Sequence, residues 1–89
     1  MFAVRISVNG EVQGVGFRDF TVREAEVRGI AGYVKNLPDG SVMAIAEGEE
    51  GQVRDFINTL KKGPPMARVR TVEVEELTPT GNFPSFAVH

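Results

Sequence analysis

The chain has no cysteine, no tryptophan, a single tyrosine and a single histidine, and that histidine is the last residue, His89. The missing thiols remove disulfides, thiolate nucleophiles and cysteine-type metal sites together. They also fit a reducing compartment, and a cytoplasmic location is expected. With one terminal histidine and no cysteine, Ser-His-Asp and Cys-His catalysis have no base to draw on. His89 itself is expected to fray, as chain ends do. A metal site would have only carboxylates available. Asp19, Glu24 and Glu26 do not point one way on a helix, and Asp39 is used by a turn, so neither a metal nor a cofactor is expected. No apolar run approaches the roughly 20 residues of a membrane span. The start, Met1-Phe2-Ala3-Val4-Arg5, alternates like a strand and lacks the apolar block of a signal peptide, which argues against a membrane partner. Positive charge is not in excess either: the formal net charge is −2, so no global field gathers nucleic acid. The scarcity of Tyr and Trp removes the stacking platform that RNA-binding sheets use.

What is present is enough for one domain spanning residues 1–89, with 42% apolar residues to build a core. A chain of this size buries only a little over about 60% of its unfolded surface. A monomer is the default expectation. The most informative stretch runs from Val8 to Arg18. An alternating strand enters it, a helical pattern leaves it, and Gly10, Gly14 and Gly16 lie between. Glycines here permit positive φ and close backbone approach to a ligand. A loop closing on a helix start leaves backbone N–H groups without partners, and the positive end of the helix dipole favours an anion there. Arg18 adds a planar fork of donors that matches phosphate or carboxylate oxygens. A small oxyanion site follows, phosphate first among its ligands. It is not a Walker loop, because Phe17-Arg18 stands where Lys-Ser/Thr would be. The glycine spacing and the short chain also exclude a dinucleotide fold.

Along the chain, Val4, Ile6 and Val8 alternate with Arg5, Ser7 and Asn9, predicting a half-buried strand. A helix is predicted over 17–28, with Phe17, Phe20, Thr21 and Ala25 sharing a face that Glu24 and Arg28 interrupt. Gly29 is its stop. Strands over 30–36 and 41–47 flank Leu37-Pro38-Asp39-Gly40, a tight-turn signal. Val53, Phe56, Ile57 and Leu60 mark a second helix, with Glu49 and Glu50 at its start, Lys61 and Lys62 at its end, and Gly63-Pro64-Pro65 beyond. A fourth strand over 69–77 switches apolar parity between Val69/Thr71 and Val72/Val74, the mark of a bulge or a late start. Arg68, Arg70, Glu73, Glu75 and Glu76 are read as its solvated face. Phe86 and Val88 suggest a short last strand, which Pro84 confines to an edge.

This order predicts an α+β fold: a ferredoxin-like split βαβ sandwich, with an antiparallel four- to five-stranded sheet and two helices on one face. In that topology the first and second strands run parallel, with one strand between them. The loop ending at Arg18 and the strand end at Asn36 then meet at one sheet edge. Asn36 can both donate and accept, so it can hold a water beside a bound phosphate.

Here the residues resemble the acylphosphatase family. Val8-x-Gly10-x-Val12-Gln13-Gly14-Val15-Gly16-Phe17-Arg18 is similar to its first signature. Gly32-Tyr33-Val34-Lys35-Asn36-x-x-x-Gly40-x-Val42, with Gly48 beyond, is similar to its second. Gly63-Pro64-Pro65-x-Ala67-x-Val69 extends the likeness over nearly the whole chain. Two departures stand out: Arg28 where the family usually has Leu, and the ending Phe86-Ala87-Val88-His89 in place of an Arg-Tyr-like tail. The resemblance implies metal-free hydrolysis of the carboxyl–phosphate bond of an acyl phosphate, with inorganic phosphate as product. It implies phosphate binding by Arg18 and the loop of Gln13, Gly14, Val15, Gly16 and Phe17, and a water oriented by Asn36. The alternative is a non-catalytic module of the same fold that binds phosphate or carbamoyl phosphate.

Overall fold

A computed structural model describes all residues from Met1 to His89. Five strands and two helices follow one another as β1 (Phe2–Glu11), α1 (Phe17–Val27), β2 (Ala31–Asn36), β3 (Val42–Gly48), α2 (Glu50–Lys62), β4 (Arg68–Leu77) and β5 (Phe86–Val88). They form one sheet in the order β4-β1-β3-β2-β5. β3 runs antiparallel to both β1 and β2, so β1 and β2 are parallel with β3 between them. Their C-terminal ends, Glu11 and Asn36, open onto the same edge of the sheet.

Alternation decides which side of the sheet is covered. Val4, Ile6 and Val8 of β1, Val42, Ala44 and Ala46 of β3, and Val34 of β2 are buried in one cluster with Val53, Phe56, Ile57 and Leu60 of α2 and Phe17 and Ala25 of α1. The helices therefore share one face, and a single core runs beneath them. α2 is closed at its start by the carboxylate of Glu49, which accepts from the N–H groups of Gly51 and Gln52 at 3.0 Å each. Those two bonds hold the Glu49 carboxyl below its ordinary range. No helix is long and apolar enough to cross a membrane.

Four details depart from, or sharpen, the pattern read from the sequence. First, the parity switch in β4 is a bulge: Asn9 pairs with Thr71 but Gly10 pairs with Val69, leaving Arg70 extra. Val69 and Val72 can then both pack on the core. Gly10 belongs to this bulge and not to the loop. A Cβ there would lie 2.1 Å from the carbonyl oxygen of Arg68.

Second, the two polar residues that interrupt the α1 face dock the helices together. Arg28 Nη1 donates to the Glu24 carboxylate at 2.8 Å, Nε donates to Asp55 at 2.8 Å, and Nη2 donates to the hydroxyl of Thr59 at 2.9 Å. A guanidinium thus spans the seam that an apolar side chain would otherwise fill. The bonds to Glu24 and Asp55 raise its pKa against the cost of burial.

Third, the sheet is mixed and not wholly antiparallel. β5 lies beside β2 in parallel, with Gly32 opposite Phe86 and Val34 opposite Val88. β4 occupies the opposite edge, so the intervening loop must cross the sheet before β5 can pair, and that crossing sets the direction.

Fourth, Glu47 of β3 is only 4% exposed and has no basic partner. It accepts from Thr80 N–H at 2.9 Å, Thr80 Oγ1 at 3.0 Å and Gly81 N–H at 3.0 Å, which pins the crossing loop. The chain end is held as well. His89 N–H donates to the Val34 carbonyl at 2.8 Å, and its ring stacks on Tyr33 with centroids 4.3 Å apart. The expected fraying is absent because β5 carries the end into the sheet.

Candidate active site

The loop after β1 and the first turn of α1 form one wall of the site. Gly14 and Gly16 take φ of 74° and 79°, the left-handed region that side chains with a Cβ rarely adopt. Gly16 is the N-cap residue of α1 and has no side chain to cap the helix. Only the Phe20 N–H reaches back, to the Gly16 carbonyl at 3.0 Å. The N–H groups from Gln13 to Asp19 have no protein acceptor. The contrast with α2, closed by Glu49, shows that this opening is particular to α1.

Phe17 fixes the wall in place. The residue is 2% exposed, and its ring sits in the core and tilts against Phe20 at 6.0 Å between centroids. Only its backbone N–H is available to a ligand. Arg18, the next residue, is exposed and takes part in none of the molecule's five ion pairs. A guanidinium without a carboxylate partner thus lies beside unpartnered N–H groups, donors of the kind that suit an oxyanion.

Asn36 closes the opposite side, at the end of β2. Its Oδ1 is buried and has no hydrogen-bond partner in the protein. Buried acceptors are almost always satisfied, and an orphaned one at a cleft asks for a donor from outside the protein. The turn that follows is tightly built. Leu37 N–H donates to the Ser41 carbonyl at 2.9 Å. Asp39 Oδ1 accepts from Ser41 N–H at 2.9 Å and Ser41 Oγ at 2.6 Å, which holds its carboxyl below the ordinary range.

Gln13 joins the two walls. Its Nε2 donates to the carbonyls of Leu37 at 2.8 Å and Ser41 at 2.9 Å. This side chain faces the turn and not a ligand. Its position in the motif did not show that role, because its partners are backbone carbonyls brought near only by the β1–β3–β2 order.

Val12, Gly16, Phe17, Arg18, Asp19, Asn36 and Val88 line one open cleft of about 180 Å³. Of the residues anticipated from sequence, Gly16, Phe17, Arg18 and Asn36 meet here. Gln13, Gly14 and Val15 do not line the cleft; Val15 instead packs half-buried against the core. Val12, Asp19 and Val88 were not anticipated. Val12 and Asp19 flank the motif glycines and the Arg, whereas Val88 arrives from the far end of the chain and carries no local signal.

Fold and site together define a class: a small split βαβ domain with an open cleft, lined by a guanidinium and a helix start, at the shared edge of its two parallel strands. The acylphosphatase family model matches residues 4–88. The chain belongs to the acylphosphatase family and shares its class, that of the acid-anhydride hydrolases. It is 56% identical over 81 residues to an acylphosphatase of Thermotoga maritima, covering 91% of this chain and 90% of the relative. It is 53% identical over 88 residues to an acylphosphatase of Archaeoglobus fulgidus, covering 99% and 98%. Among solved structures, the acylphosphatase of Bacillus subtilis superposes with a TM-score of 0.96 at 40% identity over 100% of this chain and 99% of that one.

Proposed function

We propose that the chain hydrolyses the carboxyl–phosphate bond of acyl phosphates, releasing a carboxylate and inorganic phosphate, with Arg18, Asn36 and the backbone of residues 13–18 as its machinery and with no metal or cofactor. The unpartnered N–H groups and the free guanidinium hold the three non-bridging phosphoryl oxygens. Asn36 Oδ1 accepts a hydrogen bond from a water and turns its lone pair toward phosphorus. As the water's O–P bond forms, the P–O bond to the carboxylate breaks and the electron pair leaves on the carboxylate. The proton from the water passes to a phosphoryl oxygen. A carboxylate leaves readily without an acid, so positioning and charge stabilisation supply the rate. That fits a chain whose only imidazole is stacked on Tyr33, on the side of the sheet away from the helices.

The observation that carries the reading is the orphaned Oδ1 of Asn36. A site evolved only to hold an anion gains nothing from a buried acceptor beside it, since acceptor and anion repel. A water placed between them satisfies both. This argues for turnover over the alternative of a module that binds phosphate or carbamoyl phosphate without turnover. The single core supports residues 1–89 working as one domain, and the lack of cysteine supports a cytoplasmic setting.

The test is hydrolysis of benzoyl phosphate in the presence of EDTA. Turnover that EDTA leaves unchanged is expected. Arg18→Ala is expected to lower kcat/KM by at least about 10²–10³, as removal of one charge-stabilising donor does, with Arg18→Lys close behind because the planar fork is lost. A folded Arg18→Ala variant within a few-fold of wild type removes Arg18 from the centre of the site. A folded wild type with no turnover, but with melting raised by phosphate, favours the binding module.

A further inference from the structure

The cleft is polar on one side and apolar on the other, and the apolar side is unevenly available. Val12 is 1% exposed and Phe17 2%, so both already belong to the core. Val88 is 46% exposed while lining the same cleft. It is therefore the one apolar surface at the site that a substrate can still bury. Its placement is not incidental. β5 pairs in parallel with β2 so that Val88 stands opposite Val34, and Asn36, two residues further along β2, projects from the same face. The strand that delivers Val88 is fastened at both ends: the preceding loop is pinned to buried Glu47, and His89 N–H is bonded to the Val34 carbonyl.

We infer that Val88 is a specificity-determining residue, the wall against which the acyl side of the substrate rests, and that it directs the enzyme toward acyl phosphates with an apolar acyl group over those with a small one. The inference rests on the acyl phosphate reading of the cleft. It adds the part of the substrate that Arg18 and Asn36 do not touch. The acidic group in the cleft, Asp19, belongs to the first turn of α1, beside Arg18.

The experiment compares benzoyl phosphate with acetyl phosphate in wild type, Val88→Ser and Val88→Ile, with circular dichroism as the check on folding. Covering about half of a valine side chain is worth roughly a fivefold change in affinity. Val88→Ser is expected to raise KM for benzoyl phosphate about fivefold, to leave kcat nearly unchanged, and to move acetyl phosphate by less than about twofold. Val88→Ile is expected to keep the wild-type preference. A benzoyl-to-acetyl ratio of kcat/KM that does not change in Val88→Ser overturns the inference, and so does an equal loss on both substrates, which would mark β5 as structural support only. If wild type turns over neither substrate, the acyl phosphate reading itself falls. If it turns over both and only the ratio is unmoved, that reading stands and the role of Val88 alone is lost.

Discussion

At the scale of the residue, the proposed site is marked by groups left unsatisfied. Most buried polar atoms in a folded protein find partners. Here an amide oxygen, a guanidinium and the first N–H groups of a helix are held open on the walls of one cleft. In the proposed function their free energy is kept for a ligand. Two residue-scale outcomes follow. Asn36→Ala is expected to lower kcat for benzoyl phosphate by about 10²-fold or more, with KM within a few-fold; a rise in KM alone would move Asn36 from water placement to substrate binding. Gln13→Ala should behave differently. It deletes two hydrogen bonds that tie the loop to the turn beyond Asn36, at a cost of about 1–2 kcal/mol. Chemical denaturation should show that loss, and kinetics should show a lower kcat that viscosity and salt do not restore. Arg18, Asn36 and the glycines were legible in the sequence because each carries its chemistry in its own side chain or φ preference. Gln13 was legible only as a motif letter, since its use depends on two carbonyls in a distant turn.

At the scale of the element, the two helices show how differently a helix start can be used. α2 closes on its own Glu49, and α1 opens on Gly16. The ragged face of α1 also has an explanation, in that Arg28 crosses to α2 and meets Asp55 and Thr59. Periodicity read Glu24 and Arg28 as interruptions because it scores one helix at a time, whereas the pair is satisfied by a neighbour. Arg28→Ala is expected to destabilise the fold by about 2 kcal/mol, since it leaves Glu24 half-buried without a partner, and to leave KM unchanged. Thermal melting and steady-state kinetics on the same preparation check both halves. An activity loss without a melting change would point to a path from the helix seam to the cleft that the contacts do not show. The bulge at Arg70 and the register of β4 against β1 were foreshadowed by the parity switch, which is a local property of the strand.

At the scale of the whole molecule, three carboxyls sit below their ordinary range: Asp39, Glu47 and Glu49. For Glu47, burial pushes the pKa up, but the bonds from Thr80 and Gly81 outweigh it. A group depressed in the folded state adds stability that is fully present above its unfolded pKa and is lost as pH falls through the folded value. The ordinary values are 4.5 for the two Glu and 3.8 for Asp39, so stability should hold at neutral pH and fall from about pH 4.5 downward. Glu47→Gln should flatten part of that fall in urea melts taken between pH 5 and pH 2.5, and an unchanged slope would show that the clamp is not titrating. The same clamp marks the boundary between what the chain's order decides and what only folding decides. The split βαβ arrangement, the glycine loop and the candidacy of Arg18 and Asn36 could be read along the chain, because strand alternation, helix periodicity, turn chemistry and side-chain donors are all properties of residues close together in it. Folding alone settled that β5 runs parallel, that Glu47 is buried to hold the crossing loop, that Gln13 staples the two walls, and that Val88 lines the cleft. Each of these depends on groups that are far apart in sequence, and the free energy that brings them together belongs to the packed sheet and not to any segment within it.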